Sequence, residues 1–320
     1  MSADPSSVHI PVLGPEVVAL LGGRAPSLRT SGWIVDGTLG AGGHSALLLK
    51  AMPGIHVFGV DQDPEILDLA RQNLQPFGDR VRISRSRLSN LARLARKLRC
   101  DRPVGWLMDV GASSLQLDRP SRGFSFQKDG PLDMRMDPRR KVTAADIIND
   151  WGEEALADLF FREGDEHRSR HIASAIVRAR TRVPFKRTGA LAELVAETLG
   201  GGARIHPATK VFQALRREVN QEGAELLAGL QTAEDLLEEG GVLAVIAFHS
   251  GEDQVVKRFL AEGAQAGRWE LCSKKPIAPT HHEVRRNARA RSARLRGAIR
   301  LRAQSASQPP APTPGAGANP

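Results

Sequence analysis

The chain has 320 residues, 41% of them hydrophobic and 25% charged, and a formal net charge of +9. That length and balance suit one large α/β domain with an insertion, or two domains, with enough apolar residues for a sizeable core. The excess of Lys and Arg favours a polyanionic partner, nucleic acid or an anionic membrane surface, with a merely solvated basic surface as the plain alternative.

Met1 to Ile10 lacks a basic region followed by an apolar stretch, so no secretory signal is expected. Two cysteines, Cys100 and Cys272, exclude a disulfide framework and a cysteine-rich zinc site. Trp33 to Asp36 reads as a short strand ending in an acid, followed by the glycine-rich turn Gly37 to His44 and a helix from Ser45 to Ala51. His56 to Asp61 is a second strand with a terminal acid. Pro64 then opens a helix that runs to Leu74, where its missing N–H is harmless. Arg80 to Ser84 reads as a third strand, Ser89 to Leu98 as a basic amphipathic helix, and Val104 to Asp109 as a fourth strand with a third terminal acid. Helical patterns follow at Ala144 to Arg162, His167 to Thr181 and Ala190 to Leu199, and a long one from about Thr209 to Glu239 leads into a fifth strand, Val242 to Phe248. That run is the longest apolar one and is too short to span a bilayer, so a cytoplasmic protein without membrane contact is expected. Trp269 to Cys272 and Ala293 to Arg302 suit edge strands, in antiparallel orientation.

Strands alternating with helices predict an α/β fold, a Rossmann-like doubly wound sheet, interrupted by an inserted helical domain. Residues 1–114 and 208–303 form the sheet domain in this reading, and 115–207 the insertion. Residues 304–320, rich in Pro, Ala and Gly, form a disordered tail.

Open α/β sheets bind ligands at the carboxyl ends of their strands, which here carry Asp36, Asp61 and Asp109. From Gly40 the turn runs Gly-Ala-Gly-Gly-His-Ser, without the third glycine that a dinucleotide fingerprint needs. Asp36 and Asp109 would repel a pyrophosphate but suit a ligand with a cationic sulfonium and amine. Asp61 is placed to accept from ribose hydroxyls. S-adenosylmethionine is therefore favoured over a nicotinamide cofactor, whose oxidoreductase chemistry is the alternative. A ribosome-binding factor without turnover is a second alternative.

Several blocks then resemble the bacterial RsmH (MraW) methyltransferases: His9 to Leu13, Asp36 to Ser45, Asp109 to Asp118, Arg122 to Phe126 and Gly130 to Asp137. So do His206 to Leu215, Phe248 to Ser250 with Glu252 and Asp253, and Arg289 to Arg296. They occur in family order over almost the whole chain. The resemblance implies a class I methyltransferase fold with a helical insertion. It also implies methyl transfer from S-adenosyl-L-methionine to the N4 amine of a cytosine in the decoding centre of 16S rRNA, within the small ribosomal subunit. By the same resemblance Gly42, Gly43 and His44 contact the cofactor, Asp61 its ribose, and Asp109 and Gln116 fall on further cofactor positions. Leu88 stands where the family carries a phenylalanine near the adenine. Leu115 and Gly251 replace a family proline and leucine, without loss of a polar group.

Cytosine N4 is a poor nucleophile, because its lone pair is delocalised into the ring. Acceptors for its hydrogens and alignment with the methyl group would help. Asp109 is the candidate catalytic acceptor, with pure cofactor binding as its alternative. His44 reads as a cofactor contact rather than a base. His249 and Ser250 lack the third group of a hydrolase triad. His167 and His171 have metal-ligand spacing but no further ligand and two flanking arginines, so no metal is expected. Gln213 and Asn220 suit either RNA contact or structural bonding. Phe124, Phe126, Trp151 and Phe185 are candidates for stacking a base or for the core. Basic residues crowd Arg80 to Arg102, Arg162 to Arg187 and Lys274 to Arg302, where they would position RNA phosphates.

Overall fold

A computed structural model describes residues 11–24, 31–100, 102–200 and 206–302. The expectations for Met1 to Ile10 and for the tail from 304 lie outside the described residues. Short runs rich in Val, Ile, Leu and Trp become strands here because helices cover both of their faces. These are β1 (Gly32–Asp36), β2 (Ile55–Asp61), β3 (Val81–Arg85), β4 (Gly105–Asp109), β5 (Val242–Ala247), β6 (Trp269–Leu271) and β7 (Arg294–Arg300). They form one sheet in the order β3-β2-β1-β4-β5-β7-β6, with β1 to β5 parallel and β7 antiparallel to both its neighbours. A reversed strand between the fifth and the edge is the class I methyltransferase arrangement, and the antiparallel edge is as expected.

The chain order reverses between β1 and β4, so their carboxyl ends open a crevice. Around it stand α1 (Gly14–Arg24), α2 (Gly43–Ala51), α3 (Pro64–Leu74) and α4 (Leu91–Lys97). Helices α1 to α3 bury Leu21, Leu48 and Leu67 against Ile34, Val57 and Leu107 of the sheet. The opposite face packs Val35, Phe58, Trp106 and Val245 against Leu91, Leu226 and Leu260.

Between β4 and β5 lie α5 (Ser114–Asp118), α6 (Ala144–Asp150), α7 (Glu153–Gly164), α8 (Ser169–Arg180), α9 (Thr188–Leu199) and α10 (Thr209–Asn220). From α6 onwards they enclose a second apolar cluster with Ile147, Phe160, Ile176 and Leu191 at its centre. Helix α10, which the sequence reading assigns to the sheet domain, contributes Val211, Leu215 and Val219 to this cluster. The chain returns to the sheet through α11 (Glu222–Leu236), then continues as α12 (Ser250–Gln265) and α13 (His281–Arg286).

Two helical readings need correction. The stretch from Thr209 to Glu239 is two helices, broken at Gln221, whose φ of 55° is left-handed. Asn220 explains the break. Its buried Nδ2 donates to the Met134 carbonyl at 2.8 Å while its Oδ1 accepts from the Met136 amide at 2.8 Å, so the helix end is tied to the loop after β4. Likewise Ala144 to Arg162 divides at Trp151 and Gly152, both extended, and α7 starts afresh.

That loop explains why the run Gly130 to Asp137 is so particular. A Cβ at Gly130 would lie 1.9 Å from the Pro120 carbonyl oxygen, so backbone meets backbone where only glycine fits. Arg122 then pairs with the buried Asp63 at 2.8 Å, fastening the loop to the start of α3.

Candidate active site

Each wall of the crevice follows from local chemistry. Gly42 caps α2 with φ of 83°, a conformation that side chains resist, and a Cβ there would strike Leu74. The turn thus brings Gly42, Gly43 and the start of α2 close to β2 and α3. Asp61, at the end of β2, accepts the Gly40 amide on Oδ2 and the Asp63 amide on Oδ1, each at 3.0 Å. Two backbone donors fix the carboxylate, yet burial pushes its pKa up to about 6.

Asp36 behaves differently from the expectation that it faces the ligand. It is buried beneath the turn, accepts the Ser45 hydroxyl at 2.6 Å and the Thr38 amide at 3.3 Å, and holds the loop from within. Burial raises its pKa to about 6, against those hydrogen bonds.

His44 points its Nε2 at the Val12 carbonyl, 2.8 Å away. A carbonyl only accepts, so that nitrogen carries the proton. The other nitrogen, Nδ1, stands 3.6 Å from Asp109 Oδ2. Burial lowers the His44 pKa, so the ring meets Asp109 as a neutral imidazole.

Asp109 ends β4. Its backbone amide donates to Thr38 Oγ1 at 2.5 Å, which ties the strand end to the glycine turn. Its Oδ1 is enclosed and makes no hydrogen bond within the chain. Burial, then the charge of Glu252, raises its pKa to about 7.

These acids decide what the crevice can hold. Among the described residues no Lys or Arg forms an ion pair with Asp36, Asp61 or Asp109, whereas Asp63, Asp137 and Asp253 each have an arginine. A carboxylate held at a crevice without a counter-charge calls for a cation or for strong donors. The residues fit a ligand that brings a sulfonium, an amine and ribose hydroxyls, and they oppose a diphosphate.

Leu88 is buried beside the glycine turn, and a Cβ on Gly37 would come within 2.7 Å of it. Gln116 stands apart from the other predicted cofactor residues in how its groups are used. Its Nε2 donates to Asp63 Oδ2 at 2.9 Å, its Oε1 accepts the Ser113 amide at 2.9 Å, and the side chain is buried.

Other candidates settle into structure. Asn220 is engaged as described, while Gln213 is exposed. Phe124 and Phe185 are buried; Phe126 packs edge-on against Phe212. His249 caps α12 and Ser250 begins it, without a nucleophile's surroundings. No group of residues that could hold a metal occurs among the described residues.

The basic runs split into two uses. Arg80 bonds the Leu49 and Pro53 carbonyls, Arg82 lies over the Trp33 ring, and Arg294 and Arg296 grip Asp253. Lys274, Lys275, Arg285, Arg286 and Arg291 remain exposed. Their segment borders the crevice, because Glu283 accepts the Leu13 amide at 2.7 Å, next to the Val12 carbonyl that holds His44. The reading by composition missed the Arg122–Asp63 tie, which joins residues far apart in the chain, and the buried Arg216–Glu222 pair, which bridges the break between α10 and α11.

Comparison with known proteins shows the family of the chain. The sequence model of a family described as the MraW methylase family matches residues 6–301. The ribosomal RNA small subunit methyltransferase H of Carboxydothermus hydrogenoformans is 42% identical over 310 residues, covering 92% of this chain and 98% of that protein. The protein of the same name from Cyanothece sp. is 45% identical over 299 residues, covering 93% and 96%. Among solved structures, an rRNA methylase from Streptococcus thermophilus aligns with a TM-score of 0.42 at 12% identity, covering 90% of this chain and 95% of that one.

Proposed function

Because the chain belongs to the MraW methylase family, we propose that it methylates the N4 amine of a cytosine in the decoding centre of 16S rRNA. It is a methyltransferase, and its methyl donor is S-adenosylmethionine. When bound, that donor supplies an electrophilic methyl carbon whose bond to sulfur breaks with the electron pair left on sulfur.

The observation that carries the reading is Asp109, with an enclosed Oδ1 lacking a partner at the crevice between β4 and β1. In this reading Gly42, Gly43 and His44 bound the donor's amino-acid end, Asp61 accepts from its ribose, and Leu88 covers the adenine. Gln116 acts through Asp63, holding the rim. The Asp109 carboxylate accepts a hydrogen from the cytosine amine, which draws electron density to nitrogen and turns its lone pair toward carbon. Alignment of two reactants in one crevice is worth up to roughly 7–11 kcal/mol of the barrier.

The helical unit, residues 115–207 together with α10, serves as the RNA-recognition element, and the exposed basic residues from Lys274 to Arg291 hold phosphates around an extruded base. In this reading the substrate is the 16S rRNA of the small ribosomal subunit, and the setting is the cytoplasm. Labelled-methyl transfer to small subunits from a strain lacking the gene, followed by nucleoside analysis, tests it: label in N4-methylcytidine at one position is expected, and label in another nucleoside refutes it.

A further inference from the structure

The motif from Phe248 to Asp253 follows β5, the strand paired with β4 and its terminal Asp109. In the sheet Asp109 is opposite Ile246, and the Val110 amide donates to the Ile246 carbonyl at 3.0 Å. Past β5 the chain runs beside Gly111, where a side chain would touch Phe248, and enters α12.

His249 caps that helix, with Nδ1 accepting the Glu252 amide at 3.2 Å and Nε2 lying 2.7 Å from Glu252 Oε1. Glu252 Oε2 accepts the Phe248 amide at 2.9 Å. The neighbouring Asp253 is taken by Arg294 and Arg296. Of the two acids Glu252 is therefore the one left to act on the crevice, buried, with Oε2 hydrogen-bonded to the Phe248 amide and Oε1 within ion-pair range of His249 Nε2.

We infer that Glu252 is a positioning residue for methyl transfer: held by His249 and the Phe248 amide, it sets a fixed negative charge behind Asp109 and keeps Asp109 ready to take the proton that the substrate amine sheds. The inference rests on the proposed role of Asp109. In the step concerned, the amine nitrogen bonds to carbon through its lone pair. One N–H bond then breaks with its electrons left on nitrogen, and the proton passes to the Asp109 carboxylate.

The groups around the pair support this. His44 from α2 stands 3.6 Å from Asp109, the charge of Glu252 from α12 acts on Asp109, and Asp109 in turn acts on Asp36 of β1. His44 is neutral, so it does not offset Glu252. Burial opposes a charge on Glu252, but His249, the Phe248 amide and Arg216 of α10 hold its pKa below the ordinary range. Arg216 itself is spent on Glu222, at 2.8 and 2.9 Å. The result is one acid ionised throughout neutral pH beside another that titrates at about 7, which matches a proton acceptor to the working pH.

The test is carboxyl ¹³C NMR of the full chain, in wild type, Glu252→Gln and Glu252→Asp. The inference expects Asp109 to titrate near neutrality and the wild-type Glu252 signal to inflect at the same pH. Glu252→Gln should lower the Asp109 midpoint by about one unit, and Glu252→Asp, which keeps the charge, should restore most of it. The acid limb of the kcat profile should follow, with KM for the donor little changed. An Asp109 midpoint unmoved in Glu252→Gln overturns the inference; should that variant not fold, a wild-type Glu252 signal without the inflection does so instead. Full turnover in Asp109→Asn, with the paired titration intact, would instead sink the role of Asp109 and leave the coupling standing.

Discussion

His44 Nδ1 stands 3.6 Å from Asp109 Oδ2, and it does so because the opposite ring nitrogen is committed to the Val12 carbonyl. The first helical turn after the glycine loop thus presents a neutral imidazole to the acid at the end of β4. Neither group is charged by a basic partner, so the crevice keeps its appetite for a cationic ligand.

Asp109→Asn keeps the shape of the side chain but cannot accept a proton. Turnover at saturating donor should fall by about a hundredfold or more. Donor binding, followed by calorimetry, should change far less. Unchanged turnover would reduce Asp109 to a binding residue.

The raised carboxyl pKa values set a pH dependence with a definite sign. Asp36 and Asp61 sit at about 6 and Asp109 at about 7. Folding favours their protonated forms, so their contribution to stability is complete below the ordinary aspartate range. It is lost as the pH rises through 6 to 7. A cationic ligand offsets that loss. The rise in Tm on adding S-adenosylmethionine should therefore grow between about pH 5 and pH 8, and Asp61→Asn or Asp109→Asn should flatten the growth. A rise independent of pH would contradict the electrostatic reading.

Gly42→Ala forces a side chain into a left-handed conformation and against Leu74. The expected cost is ~1–3 kcal/mol, with loss of donor affinity because the turn shifts. Thermal denaturation and calorimetry on the same sample check both. Normal affinity in a destabilised protein would separate the turn from the site.

Asn220→Ala removes a buried side chain that serves the Met134 carbonyl and the Met136 amide. Leaving such groups unpaired costs about 1–3 kcal/mol each. Denaturant unfolding should show the loss, and the variant's intact donor affinity would show that Asn220 acts through the loop.

The basic segment bordering the crevice predicts a salt effect. Changing Arg285, Arg286 and Arg291 to alanine should weaken RNA binding across sequences and lower the salt slope by about 0.7 for each lost phosphate contact. Donor affinity should stay as in wild type. A slope unchanged in the triple variant would remove this segment from the RNA footprint.

Much of this was legible in the residues themselves. Short apolar runs ending in Asp36, Asp61 and Asp109, with glycines after the first, fix strands and a ligand-bearing edge through local rules. What a side chain does with its polar atoms was not legible, since that depends on distant partners. Asp36 reads as a ligand contact but is drawn under the loop by Ser45. Gln116 has its donors and acceptors taken by Asp63 and Ser113. Gln221 breaks a helix whose periodicity continues past it, because Asn220 is pulled to residues more than 80 positions earlier in the chain. Arg80 and Arg82 read as phosphate contacts and are used as struts. Glu252 had one visible signal, its place two residues after the Phe-His-Ser run, without a chemistry attached until β5 is set beside β4.

The most direct test of the whole account is nucleoside analysis of 16S rRNA after incubating unmethylated small subunits with the purified chain and labelled S-adenosylmethionine. Label confined to N4-methylcytidine at a single decoding-centre position is the predicted result. Bound donor with no label in RNA, or label in a different nucleoside, would contradict it.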